Sequence, residues 1–134
     1  MKSTTANPLS VVIIKPSKYG PGSGGHVERF RWGFMPNAGL RHMDALTPSH
    51  VAGRPVRVTL VDEYVQTDLR YLGMLNGRDC DLLALAGTQS HQLHRALDLS
   101  ALARHNGVRS VVIGGPHPMT CDTSEMHGRG ISFA

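Results

Sequence analysis

The chain has 134 residues, of which 40% are apolar and 18% charged, and carries a net charge of +4. That balance excludes a disordered polyelectrolyte and describes one domain able to bury roughly two thirds of its unfolded surface. Eleven Arg and three Lys (Lys2, Lys15, Lys18) are scattered along the chain without the stripe that a nucleic-acid surface shows, so no nucleic-acid partner is expected.

Cys80 and Cys121 form no C-x-x-C unit and no disulfide framework, which gives a reducing cytoplasm as the expected location and a structural role for Cys80. The eight His are dispersed, with only His91 and His94 spaced i, i+3, so they read as surface or turn residues and no metal site is expected. Residues 9–14 are too short an apolar run for a signal segment or a membrane span, so no membrane partner is expected.

In chain order, 1–9 is a frayed lead-in. Residues 10–16 (Ser-Val-Val-Ile-Ile-Lys-Pro) form an apolar β-branched run ended by proline, which is the pattern of a central strand. In the loop over 17–26, Gly20, Gly22 and Gly25 match G-x-G-x-x-G by spacing. The glycines start only after Ser17-Lys18-Tyr19, enclose Pro21, and Asp62-Glu63 come too late, so the loop is not a dinucleotide fingerprint. Phe30, Trp32 and Phe34 fall in an extended segment that either lines a pocket wall or plugs the sheet edge.

Leu40, Met43 and Leu46 predict a short helix ended near Thr47-Pro48, and Gly53-Arg54-Pro55 predicts a turn. Residues 56–64 form a strand nearer the edge. Thr67 or Asp68 caps a helix through Leu69, Leu72 and Leu75, stopped by Asn76-Gly77. Residues 81–86 are another buried strand, and 90–106 the strongest helix. Its stripe of Leu93, Ala96, Leu97 and Ala101, widened by Leu99 and Leu102, opposes His91, Arg95, Asp98 and Arg104. Residues 110–113 are a third wholly buried strand, and 131–134 look like the first half of a fifth strand, as in a fragment or excised domain.

The fold class is therefore α/β: a three-layer open parallel sheet, flavodoxin-like (Rossmann-like), with its last strand truncated. The chemically distinctive residues all follow strands, at the edge where such sheets keep their ligands. They are Ser17-Lys18-Tyr19, Asp62-Glu63-Tyr64, the 87–91 run (Gly-Thr-Gln-Ser-His) and the Gly114-Gly115-Pro116-His117 turn. The last turn is open to two readings, a ligand turn or a tight strand-to-helix turn with no ligand. Acids placed as in a response regulator, a donor-rich flavin phosphate loop and a G-x-S-x-G elbow are all missing.

Several stretches together resemble the N-terminal cobalamin-binding domain of B12-dependent radical SAM enzymes. They are Val11-Val-Ile-Ile-Lys-Pro-Ser17, Pro36-Asn-Ala-Gly-Leu40, Val58-Thr-Leu-Val-Asp-Glu63, Cys80-Asp-Leu-Leu-Ala-Leu-Ala-Gly-Thr88 and Val111-Val-Ile-Gly-Gly-Pro-His117. The tail, Gly115-Pro-His-Pro-Met-Thr-Cys-Asp-Thr123 and Met126-His-Gly-Arg-Gly-Ile-Ser-Phe-Ala134, is most similar to the tryptophan 2-C-methyltransferase subgroup of thiopeptide biosynthesis.

The resemblance implies a base-off cobalamin held at the strand ends, its nucleotide tail against the sheet. The corrin would be shared with a following radical SAM domain that carries the [4Fe-4S] cluster and S-adenosylmethionine outside this chain. The cofactor-binding residues it implies are Ser17, Tyr19, Asp62, Glu63, Arg70, Gly87, Thr88, Gln89, Ser90, His91, Gly114, Gly115, Pro116 and His117. Lys15-Pro-Ser-Lys-Tyr-Gly20 stands where the B12 motif D-x-H-x-x-G would be, so no protein ligand to cobalt is expected. The cluster motif C-x-x-x-C-x-x-C is absent, so no catalytic residue is expected in this chain. Arg70 is either a cation near the lower cobalt face or a surface residue paired with Asp68 or Asp62. The competing expectation is a non-catalytic α/β interaction module without cofactor.

Overall fold

The computed structural model describes residues 6–20, 25–30, 37–66 and 68–133. Pro21, Gly22, Trp32, Phe34 and Thr67, named above, lie outside the described residues. The elements are β1 (Leu9–Lys15), α1 (Ala38–Leu46), β2 (His50–Val51), β3 (Arg54–Asp62), α2 (Arg70–Gly73), β4 (Leu82–Leu85), a 3-10 turn (Ser90–Gln92) leading into α3 (Leu93–His105), β5 (Ser110–Ile113), α4 (Thr123–Gly128) and β6 (Ser132–Phe133).

Among the described residues the sheet has six strands in the order β2-β3-β1-β4-β5-β6. All pair in parallel except β2, which runs antiparallel to β3. The five parallel strands stand in the spatial order second, first, third, fourth, fifth, which is the flavodoxin-like order. Its switch point lies between β1 and β4. The expected parallel sheet is therefore present, with the short strand β2 added antiparallel at one edge. His50-Val51 folds back on Arg54-Pro55 through Ala52 (φ 48°) and Gly53 (φ 76°), the two positive-φ positions of a tight hairpin turn. Arg54 and Pro55, read as a turn, begin β3.

The β-branched runs are buried as their pattern requires. Val12, Ile14, Val61, Leu83, Leu85, Val111 and Ile113 turn to one face and form a core with Leu75, Ala96, Leu99 and Ala103. Alternation sends Val11, Ile13, Val58, Leu60 and Ala84 to the other face, where Leu40 of α1 packs on Ile13 and Ala86.

Three elements depart from the expected pattern. First, α2 is a single turn rather than a helix through Leu75. The Asn76 side chain takes over its end, donating to Gly73 O (2.8 Å) and accepting from Arg78 N (2.9 Å) and Asp79 N (3.0 Å). Leu75 still reaches the core through a 3-10-type bond from its N to Leu72 O.

Second, the buried face of α3 is Ala96, Leu99, Ser100 and Ala103, continued by Gln92 of the 3-10 turn, whereas Ala101 and Leu102 are exposed. Third, α4 was not anticipated. Asp122 caps it by accepting from Ser124 N at 2.9 Å, and Met126 and Ile131 bury themselves in the core. Among the described residues, no helix is long and apolar enough to cross a membrane.

Candidate functional site

The strand ends are held together by two buried hubs. Glu63, fully buried, accepts from Tyr71 Oη (2.6 Å), Arg95 Nη2 (2.7 Å), Arg95 Nε (3.0 Å) and Ser17 N (3.1 Å). Burial works against the Arg95 charge, but the Glu63 carboxylate outweighs it and holds the guanidinium above its ordinary range. Burial, and then Glu63, push the Tyr71 phenol up to about 12.

Gln92 is the second hub. Its Nε2 donates to Tyr64 Oη (2.9 Å), and its Oε1 accepts from Lys15 Nζ (2.7 Å) and Gln89 N (3.0 Å). Lys15 Nζ also donates to Gly87 O across the β1/β4 switch point. Desolvation lowers the Lys15 pKa, with Asp62 opposing.

The exits of β4 and β5 are zipped to one another. Thr88 N donates to Gly114 O (2.9 Å), and Thr88 O accepts from His117 N (3.1 Å). Gly115 lies at φ +133°, and a Cβ there would stand 2.2 Å from Thr88 N and 2.6 Å from Gly87 C. The partner that requires a glycine here is the neighbouring backbone. Thr88 Oγ1 is buried with no hydrogen-bond partner among the described residues. Ser90 Oγ and His117 Nδ1 are 3.0 Å apart at the rim.

The remaining predicted residues scatter around this centre. Tyr19 donates to Asp98 and lies under Arg95, whose Cζ is 5.8 Å from the ring centroid. Burial, then Asp98, raises its pKa. Asp62 accepts from Tyr64 N at 3.0 Å. His91 and Pro116 are exposed. The Arg70 side chain, 92% exposed, pairs with Asp68, which is the surface arrangement. Phe30 stacks on Tyr64 with centroids 4.9 Å apart and planes 14° from parallel.

Sequence reasoning missed Lys15, Tyr71, Gln92 and Arg95 as members of this centre. A lone charge ending a buried strand was the available signal for Lys15. The partners of the other three lie up to 77 positions away, beyond any local pattern.

On the α1 face, a trough runs along the sheet beside the helix. Its lower part is about 620 Å³ and is floored by Val11, Leu82, Ala84 and Val112. It shares Met43, Ala84 and Val112 with a middle part of about 250 Å³, which reaches Gly87 and Gly115. An upper part of about 380 Å³ lies between Lys15, the start of α1 and Gly87. The trough is thus apolar below and opens at the switch point above. Among the described residues, no group of three His, Cys, Asp or Glu could hold a metal ion.

No protein-family model matches this chain, and no curated protein or solved structure matches it.

Proposed function

We propose that this domain binds base-off cobalamin and serves as the methyl-carrier unit of a B12-dependent radical SAM C-methyltransferase, with the indole C2 of tryptophan as acceptor. The observation that carries the reading is the apolar trough that opens at the β1/β4 switch point. A base-off cobalamin presents a flat, amide-fringed macrocycle and a heteroaromatic base on a flexible tail. The trough floor of Val11, Ala84 and Val112 suits the base, and the crevice above suits the macrocycle.

Thr88 Oγ1, buried without a partner among the described residues, and the Ser90–His117 pair offer hydrogen bonds to corrin amides. The Phe30–Tyr64 stack offers an apolar wall. Arg70, exposed and paired with Asp68, takes no part in this reading. When bound, cobalamin supplies a cobalt centre that accepts a methyl group and hands it on. This chain's residues grip and orient the cofactor. The [4Fe-4S] cluster and S-adenosylmethionine belong to a radical SAM domain, and the reaction belongs to a reducing cytoplasm.

The test is anaerobic titration with hydroxocobalamin, followed by gel filtration. Retention of a corrin with a base-off spectrum is the expected result. A protein that elutes without corrin would sink the proposal for this domain and favour a cofactor-free interaction module.

A further inference from the structure

We infer that Lys15 is the anchor for an anionic group at the top of the trough, and that this group is the phosphodiester of the cobalamin nucleotide tail. The inference rests on the cobalamin reading and adds a named contact to it.

Lys15 is the last residue of β1 and falls on the same side of the strand as Val11 and Ile13, toward α1. Lys15 lines the upper cavity, beside the start of α1 and the Gly87 turn, where its ammonium donates to Gly87 O. It is half-buried. Its hydrogen bonds to described residues go to Gly87 O and Gln92 Oε1, both neutral oxygens, and use two of its three protons.

Asp62 is the acid whose charge acts on Lys15. Its carboxylate accepts from Tyr64 N, and no ion pair joins it to Lys15 among the described residues. A desolvated cation bound only to neutral acceptors gains most from a charged partner. Burial holds its pKa below the ordinary lysine value, as such an incompletely compensated charge requires.

The rest of the trough selects which anion. Below Lys15 the floor of Val11, Leu82, Ala84 and Val112 is aliphatic, and the charged lining residues Arg54, Asp81 and Arg109 stand at the opposite end, where the strands begin. A ligand that fits must be anionic near the switch point and apolar beyond it. In base-off cobalamin the phosphodiester lies between corrin and base. With the macrocycle at the strand ends and the base on Ala84 and Val112, that linkage passes the upper cavity.

The experiment compares three corrinoids that differ along the tail: cobinamide, cobinamide phosphate and cobalamin. Their dissociation constants are measured by absorbance titration for the wild-type chain and for Lys15→Met and Lys15→Gln. The wild type is expected to bind cobinamide phosphate about ten- to a hundredfold more tightly than cobinamide, the range of one charge-assisted contact. Both variants are expected to bring that ratio close to one. Lys15→Arg is expected to keep most of it.

Lys15→Gln retains a donor for Gly87 O, so it keeps the comparison usable if Lys15→Met fails to fold. Corrin binding with an unchanged phosphate ratio in the variants overturns the role of Lys15 and leaves the cobalamin reading standing. Failure of the wild type to bind any of the three corrinoids overturns both.

Discussion

Arg95 closes on the fully buried carboxylate of Glu63 with Nη2 2.7 Å from Oε1 and Nε 3.0 Å from Oε2, tying α3 to the end of β3. The same carboxylate holds Ser17 N and Tyr71 Oη, so one acid fixes the exits of two strands. Removing one member of a buried ion pair leaves the other charge uncompensated, at about 3–5 kcal/mol. Arg95→Met is therefore expected to lower unfolding free energy by about that amount. Glu63→Gln combined with Arg95→Met should recover much of the loss, because no bare charge remains, the amide oxygen still accepts from Ser17 N and the amide NH2 can donate to Tyr71 Oη. Urea denaturation of the single and double variants checks this. A double variant no more stable than Arg95→Met alone would show that the ion pair itself carries the stability.

The alkaline limb of the stability curve follows from two buried acids. The Tyr71 phenol is pushed up from 10.0 to about 12, first by burial and then by Glu63. Burial, above all, pushes the Cys80 thiol up from 9.0 to about 11. Each is raised in the folded state, so its contribution is complete below the unfolded value and is lost as pH climbs through the folded one. Lys15 acts in the opposite sense, because its folded pKa is lowered and its penalty is relieved as pH rises. Tyr19 is raised as well, and three losses against one gain predict a urea midpoint that falls from about pH 9 upward. Cys80→Ala should flatten the start of the fall, Tyr71→Phe the part above pH 10, and Lys15→Met should steepen it. A midpoint that stays level from pH 8 to 11 in the wild type would remove this account.

Two glycines should respond in opposite directions. Gly115→Ala combines a φ of +133° with a Cβ 2.2 Å from Thr88 N, a backbone atom that cannot step aside alone. The strain and overpacking together are expected to cost about 2–6 kcal/mol. Gly73, at the end of α2, has no positive φ, and a Cβ added there would meet nothing within 4 Å. Gly73→Ala should therefore add about 0.5–1 kcal/mol. Thermal melts of the two variants give both signs in one experiment.

What the sequence displayed was the frame. The β-branched runs at 11–14, 58–61 and 111–113 stop at proline, acid or glycine, and each became a strand of the parallel sheet. The hairpin strand β2 was hidden because two residues, His50 and Val51, carry no periodicity. The short helix α4 did have a signal, Asp122 followed three residues later by Glu125, but it was absorbed into the tail.

The centre of the site was less legible. Arg95 looked like part of a solvent face because its helical position is polar on its own turn, and only the long-range Glu63 pairing turns it inward. The Gly-Gly turn correctly marked a close approach, yet the approaching group is the Gly87–Thr88 backbone. Local pattern encodes where the chain must be tight, and tertiary packing decides what it is tight against.

The trough itself gives the most direct assay of the proposed function. Ala84 lies on β4 between the Ile13 and Val112 positions, half-buried, and its small side chain leaves the floor open. Ala84→Phe would fill that space with an apolar ring, which water currently faces, so little stability should be lost and the fold should persist. A base that rests on Ala84 and Val112 would be excluded. Cobalamin affinity is expected to fall more than about tenfold, consistent with losing one buried aromatic group. Cobinamide, which has no base, should bind the variant about as well as it binds the wild type. Equal cobalamin affinity in Ala84→Phe and wild type would mean that the base lies elsewhere, and an equal loss for both corrinoids would mean that the substitution disturbed the crevice instead of the trough.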